Sequence, residues 1–449
     1  MSFTHPALRG ITALMMILLL AFGGCNDDDN STPKEWQPLE PKMEKHGRYT
    51  VVWLKGSPYE MGYQHGEMLY DVIAEAMVFV ENDEVLSLLP EIAKGLGVLE
   101  LGAANSYQDV LDECQGMIDA TQGTGFTMDF CMALNFGDVM MELLPSFRSN
   151  GEQQGPGCTE VLANGAASPD GRLYHARNLD WGSMDISIIH SYPVIFVRQP
   201  DDGIPHMFMG FPLNITPYTG MNAAGLSVCS NEADPLDATQ RDEVGRSHVQ
   251  MLGQILKHNS SLDEAKAFLE GEDHMSSEMI VVADGPNQTG AVFEMTAKHM
   301  KMRPVNGDGY VYAVNHFLSD EMKDWDAVQD IDNPDSSILR QERLQQVVDP
   351  DGKDTLYGQL DIEGLAKVMR DRVHPRTGIE PPYDEENIDN DAGIATNGPM
   401  HFVLFDPQKL LFWVSAGKIP IDKQPYVCFS LGELLGYDDA VPCPAPQID

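Results

Sequence analysis

Gly157-Cys158-Thr159-Glu160, followed after a turn by Arg177-Asn178-Leu179-Asp180-Trp181, is the stretch that decides how the rest of the chain is read. Between the two halves, Thr159 to Ala167 leans towards strand, Ser168-Pro169-Asp170-Gly171 reads as a turn, and Arg172 to Ala176 is strand-like again. Asp-Gly between two such runs is a hairpin signal. The hairpin folds the Arg177–Asp180 end of its second strand back beside Cys158. A thiol attacks as its thiolate, and a neighbouring cation favours that form. Arg177 is placed to supply the cation, and Asp180 to orient a protonated amine or a substrate N–H. By itself the hairpin reads more simply as a buried cysteine beside an Arg–Asp surface pair. The remainder of the chain reverses that preference.

The first two dozen residues form a targeting segment. Arg9 precedes a twelve-residue apolar run, Ile11 to Phe22, and Gly23-Gly24-Cys25 follows. The run is too short to cross a bilayer as a helix and has the flanks of a secretory signal. Small residues ahead of Cys25 resemble a bacterial lipobox, so Cys25 is expected to carry lipid, with Asn26 to Pro33 as a solvated tether; a plain secreted protein cut nearby is the alternative. Acidic residues number 69 against 29 basic, a formal charge of −40. Such a field repels nucleic acid and anionic lipid, and it excludes binding along a phosphate backbone. Membrane contact is therefore expected only through the lipid at Cys25, in a bacterial cell-envelope lipoprotein. Of seven cysteines, Cys114 with Cys131 and Cys428 with Cys443 are conceivable disulfides, but spacing leaves the pairing open. No Cys-x-x-Cys or zincin-type His spacing is present, so no metal is expected.

Tyr49 to Leu54 reads as a strand, and Ser57-Pro58 starts a helix. Gly62 and Gly66, one turn apart, call for close packing against another element. His65, between them, is read as a satisfied structural histidine rather than a catalytic one. Apolar spacing through Met68–Val80, Leu86–Leu101 and Val110–Ile118 makes this part mostly helical, and the polar Ser149–Gly157 stretch suits an exposed loop. Beyond the hairpin, strand-like runs at Tyr192–Arg198, His206–Phe211 and Ser227–Ser230 give way to helical patterns at His248–His258 and Leu262–Glu270. Ser261-x-x-Glu264 carries a capping-box signature. Strands return at Met279–Ala283, Gly290–Met295 and Tyr310–Val314, a helical run at Leu365–Arg370, and a last hairpin over His401–Ser415. Asp384–Asp391 is read as a solvated acidic loop.

A cysteine opening a strand, a tight turn and Arg-Asn-Leu-Asp-Trp resembles the cysteine branch of the N-terminal nucleophile (Ntn) hydrolases. That branch includes the penicillin acyltransferase-like autoproteolytic peptidases, the choloylglycine (bile salt) hydrolases and the penicillin V acylases. Cys158, Arg177, Asp180, Asn222, Asn315 and Arg340 stand in the family's order. The Gly56–Gly66 string resembles its leading segment, Ser336-Ser337-Ile338-Leu339-Arg340 its Ser-Ser-x-x-Arg, and the last hairpin its closing strands. The resemblance runs from Tyr49 to about Gly417. Because Cys158 lies behind a long leader, the acyltransferase-like group fits better than the bile salt enzymes, whose cysteine follows the initiator Met.

The resemblance implies an α+β fold, the αββα four-layer sandwich, with a mostly helical N-terminal pro-segment. With the signal peptide over 1–24 and the tether over 25–48 read from the residues, it implies a segment over 49–157 that ends the small chain and a catalytic chain over 158–449. Self-cleavage of Gly157–Cys158 would free an α-amine, a base whose pKa near 8 suits neutral pH. Asn222 would lend an oxyanion donor, Asn315 would orient the amine, and Arg340 would support the nucleophile, with Arg343 an open alternative. His316, beside Asn315, invites a papain-like Cys–His reading, which the flanks of Cys158 do not support. The implied function is hydrolysis or acyl transfer at the C–N bond of a small N-acyl amide, without a cofactor. An exported lipoprotein that keeps the fold and binds a ligand without turnover is the alternative.

Overall fold

The computed structural model describes residues 38–82, 86–88, 94–95, 97–136, 157–180, 191–240, 242, 244–328, 336–381, 392–396 and 399–449. The targeting segment, Cys25, Trp181, residues 149–156 and the acidic loop 384–391 lie outside them. The chain divides into a unit over Met1–Trp36 and a second over Gln37–Asp449, and the fold below is that of the second.

Two sheets carry the structure. The first runs in the order β1 (Lys42–His46), β2 (Tyr49–Gly56), β5 (Val194–Pro200), β6 (His206–Gly210), β7 (Thr219–Asn222), β8 (Leu226–Glu232), β9 (Glu278–Asp284), β10 (Thr289–Met295), β11 (Met300–Pro304). The second runs β12 (Tyr310–Ala313), β3 (Thr159–Gly165), β4 (Gly171–Asp180), β13 (Pro399–Asp406), β14 (Leu411–Ala416), β15 (Tyr426–Ser430), β16 (Gln447–Ile448). Neighbours are antiparallel except β2 and β5, which run parallel. The expected hairpin is β3–β4, with Thr159 opposite Asn178 and Glu160 opposite Arg177.

Side-chain alternation along the strands stacks these sheets. On β9, Met279, Val281 and Ala283 point towards Leu162 and Leu173 of the second sheet and form a core between the two. The alternate residues Ile280 and Val282 pack instead on Leu252, Ile255 and Leu269. A period of two on a strand covered on both faces dictates this division. Beyond the second sheet, Val161, Ala176 and Phe402 pack on Leu344, Val348 and Leu365. The layers are therefore helices, sheet, sheet, helices. This is the αββα sandwich, an α+β fold.

The N-terminal part contributes α1 (Pro58–Met68), α2 (Tyr70–Asn82), α3 (Val98–Asn105), α4 (Gln108–Ala120) and α5 (Met128–Asn135). The outer helix pairs are α6 (His248–His258) and α7 (Leu262–Gly271) on one side, α8 (Ser336–Val348) and α9 (Ile362–Met369) on the other. Ser57 and Glu60 cap α1 reciprocally. At α7 the expected box is only half formed: Ser261 accepts from Glu264 N, while the Glu264 carboxylate turns to Ser260. Gly62 and Gly66 pack against α4. A Cβ on Gly62 would lie 2.0 Å from the Glu113 carbonyl oxygen, so the two backbones touch directly. The mostly helical N-terminal part also supplies β1 and β2, and β1 falls within the stretch expected to be tether. Disulfides join Cys114 to Cys131 and Cys428 to Cys443. Among the described residues, no helix is long and apolar enough to cross a membrane.

Candidate active site

Cys158 immediately precedes β3 and is buried, 3% exposed, with a free thiol. The hairpin register sets what surrounds it. Arg177 Nη2 lies 3.4 Å from Sγ, and Sγ lies 3.7 Å from the Asp180 carbonyl oxygen, to which it donates. Arg177 is itself fully buried. Its Nη1 donates to Glu160 directly across the hairpin and to Asn231 at the end of β8. Burial opposes its charge, but the Cys158 and Glu160 charges beside it more than compensate and raise its pKa. A fixed cation therefore sits against the sulfur with a carboxylate behind it. That is an environment in which a thiolate is held without bulk solvent.

Asp180 lies on the other side of the cysteine. A Cβ built on Gly157 would stand 2.5 Å from Asp180 Oδ2, so the carboxylate is pressed against the residue preceding Cys158. Arg340, on α8, closes the arrangement. It is buried, and Nη1 donates to the Cys158 carbonyl oxygen and, at 3.1 Å, to Thr159 Oγ1, while Nη2 donates to Asn315 Oδ1 at 2.8 Å. Asn315 Nδ2 in turn donates to the Glu232 carbonyl at 2.9 Å. The choice between the two arginines of α8 is settled by partners: Arg343 turns away to Asp371 and Asp354. Cys158, Arg177, Asp180, Asn315 and Arg340 are thus brought together.

Asn222 is not. It ends β7, and its amide is spent on its own turn and α6, donating to the Leu256 and Asn259 carbonyls and accepting from Ala224 N and Leu226 N. Thr219, at the other end of β7, pairs with Cys229, which places Asn222 level with Leu226. At ~3.3 Å per residue, that is roughly 16 Å along the strands from Asn231. The side-chain amide that does reach the Arg177 network is Asn231, whose Nδ2 donates to the Val314 carbonyl at 3.0 Å.

Sequence reasoning passed over Asn231, Glu160 and His175. His175 bridges Glu160 Oε2 at 3.3 Å and Ser227 Oγ at 2.9 Å. Glu160, His175 and Cys229 lie close enough together to chelate an ion, yet Glu160 is already paired with Arg177, and burial beside Glu160 raises the Cys229 pKa well above its usual value. These groups fit an ion-pair network better than a metal site. His316 faces α8 through Ser337 and Gln341 and is not a partner for the thiol. His65 donates to, or accepts from, nothing catalytic: its Nε2 meets the Pro212 carbonyl at 2.7 Å, and burial lowers its pKa to about 4.

A small pocket, with room for little more than a water molecule, opens beside the end of β4. Leu179, Met209, Phe211, Tyr218, Met400 and His401 line it. Leu179 is one residue from Asp180, and His401 pairs with Leu179 across β4–β13. Burial, then the Arg177 charge, lowers the His401 pKa to about 3, so this wall of the cavity is neutral.

Residues 167–375 match the family described as acyl-coenzyme A:6-aminopenicillanic acid acyl-transferase. The matched region begins nine residues after Cys158 and spans the positions of Arg177, Asp180, Asn222, Asn315 and Arg340. An uncharacterized protein of Archaeoglobus fulgidus is 24% identical over 404 residues, which is 82% of this chain and 63% of that protein. The chain thus spans less than two thirds of the length of that relative. Among solved structures, a Caenorhabditis elegans ortholog of N-acylethanolamine-hydrolyzing acid amidase is 18% identical, with a TM-score of 0.38 over 56% of this chain and 93% of that one. A mutant conjugated bile acid hydrolase from Clostridium perfringens is 13% identical, with a TM-score of 0.37 over 63% and 95%. A penicillin V acylase from Agrobacterium tumefaciens is 12% identical, with a TM-score of 0.35 over 63% and 90%.

Proposed function

We propose that this chain, whose residues 167–375 match the acyl-transferase family, is an Ntn cysteine hydrolase or acyltransferase that cuts itself between Gly157 and Cys158. It then acts on the C–N bond of linear N-acyl amides. The observation that carries the reading is the placing of Cys158. Its buried sulfur faces a guanidinium at 3.4 Å, and the residue before it is a glycine held against the Asp180 carboxylate. Cleavage turns the residue-158 nitrogen from an amide into an amine, the base the thiol otherwise lacks. Asp180 and Asn315 are the groups that would orient that amine.

In turnover the amine takes the thiol proton as Sγ attacks the substrate carbonyl. The tetrahedral intermediate collapses to a thioester, and the proton leaves with the departing amine. Water or a second amine then releases the acyl group. Arg177 holds the thiolate and Arg340 fixes the Cys158 backbone. Two disulfides support export of the body, since such bonds persist in oxidising compartments. We propose lipidation at Cys25 as the tether of the mature small chain, residues 25–157.

Edman sequencing of the larger fragment tests the reading, with Cys158 expected as its first residue and the Cys158→Ala chain expected to stay whole. Turnover is then sought across a panel of N-acyl compounds. An intact native chain that resists a thiol-directed probe would instead support a ligand-binding lipoprotein.

A further inference from the structure

We infer that Thr396 is a positioning residue for the self-cleavage step, its hydroxyl steering the Gly157 carbonyl onto the Cys158 thiol. The inference rests on the self-processing reading above. Thr396 lies between α9 and β13, just ahead of the closing hairpin and outside every motif read from the sequence. It is 6% exposed, and its Oγ1 is buried without a hydrogen-bond partner among the described residues. A buried hydroxyl left unpaired costs about 1–3 kcal/mol, so it calls for a partner that the described residues do not supply.

Its location indicates that partner. A Cβ built on Gly157 would stand 2.8 Å from Thr396 Oγ1, 3.0 Å from Thr396 Cγ2 and 2.5 Å from Asp180 Oδ2. Thr396 and Asp180 therefore converge on the α-carbon of the residue whose carbonyl is to be attacked. No residue with a side chain fits between them without displacing a buried oxygen. On the far side of the scissile bond, Arg177 and the Asp180 carbonyl hold the sulfur. The hairpin thus touches both ends of the bond, and the 392–396 segment adds a second contact at the Gly157 end.

The step balances as an N-to-S acyl shift. Sγ adds to the Gly157 carbonyl carbon, a C–S bond forms, and the carbonyl oxygen takes the electron pair. The Thr396 hydroxyl donates its hydrogen bond to that oxygen. The thiol proton moves to the residue-158 nitrogen, and the C–N bond breaks to leave a thioester and a free amine. Water hydrolyses the thioester, releasing the Gly157 carboxylate and restoring the thiol.

The test follows fragment formation by the full-length chain, made by cell-free translation, on denaturing gels. Thr396→Val keeps the shape and loses the hydroxyl, and it is expected to slow cleavage by about 10- to 100-fold. Thr396→Ser keeps the hydroxyl and should cut within about threefold of the natural rate, which the lost methyl alone allows. Melting of Cys158→Ala against Cys158→Ala/Thr396→Val, both uncut, reads stability separately and should show no large difference. Cleavage of Thr396→Val at the natural rate would overturn the assignment while leaving self-processing intact. So would a Thr396→Ser chain as slow as Thr396→Val, since that pattern reports packing. If the unaltered chain stays whole, the processing reading itself falls.

Discussion

Replacing Arg177 with methionine removes the cation at the sulfur while roughly keeping its volume. At 3.4 Å and an effective dielectric of ~20, the guanidinium–thiolate attraction is worth about 5 kcal/mol. Glu160, bonded to the same guanidinium, cancels part of that field. A net loss of about 2–3 kcal/mol is expected, equivalent to about 30- to 150-fold less thiolate at a given pH. The substitution also strands the buried Glu160 carboxylate, at a cost of about 3–5 kcal/mol to stability. Arg177→Met is therefore compared with Arg177→Met/Glu160→Gln, in which the stranded charge is gone. The assay is the rate of appearance of the two fragments between neutral and alkaline pH, with melting of the matching Cys158→Ala chains as the stability readout. The double variant should recover stability but not rate near neutrality, and its rate should climb as pH rises and hydroxide replaces the missing cation. A double variant that cuts at the natural rate near neutral pH would refute the electrostatic role of Arg177.

The two arginines of α8 should separate cleanly. Arg340→Ala removes donors to the Cys158 carbonyl and Asn315 and is expected to reduce fragment formation by about 10²-fold or more, whereas Arg343→Ala breaks pairs with Asp354 and Asp371 and should lower the melting temperature with little effect on cleavage. Gly157→Ala places a methyl 2.5 Å from Asp180 Oδ2, so processing should stall in a chain that still melts cooperatively; rapid cutting of this variant would contradict the cradle. Acid should destabilise the fold through its buried histidines. Burial lowers His65 to about 4 and His206 and His401 to about 3, below the ~6.5 of an unfolded chain. The unfolded state therefore gains the extra protons as pH falls from ~6.5 towards 4, and stability present above that window is lost through it, by at most about 4 kcal/mol per pH unit for three sites. Glu113 and Asp406, raised by burial, act in the opposite sense at the acid end. Urea midpoints against pH should show the fall, and His206→Gln should take away about a third of the slope.

How much of this was legible depended on whether a residue's role showed in its neighbours along the chain. The β3–β4 hairpin was readable because Asp170-Gly171 marks its turn, and α6 and α7 because their apolar residues recur at helical spacing. β1 was not, since its exposed Lys-Met-Glu-Lys-His run carries no apolar alternation, and β11 was not, since its Met-Lys-Met-Arg alternation is only four residues long. Glu160 resembled a surface acid, yet it shares the parity of Leu162 and so faces the other sheet. Its place opposite Arg177 depends on the register shift between Ala163 and Gly165, which the turn residues do not announce. Asn231 and Asn222 follow the same logic in reverse. Asn222 sits at the Gly225 turn and Asn231 at the far end of β8, and only the strand alternation that carries Ser227, Cys229 and Asn231 towards the second sheet tells them apart. Arg340 and Arg343 lie three residues apart on one buried helix face, and their partners come from segments distant in sequence, so local pattern could not choose between them.

The same topology determines what a cut at Gly157 would leave behind. Neither disulfide crosses position 158, because Cys114–Cys131 lies wholly before it and Cys428–Cys443 wholly after. Cohesion then falls to β2, which is buried along nearly its whole length and pairs with β5 of the catalytic chain over seven residues. It falls also to the buried pair of Glu113 on α4 with Arg198 on β5. Val52 and Leu54 share one apolar core with Phe196 and Phe208 across the junction. Breaking one peptide bond at the mouth of β3 disturbs none of these contacts. The leading segment is therefore a structural part of the first sheet, and an amine freed at residue 158 would arise inside a body that is already assembled.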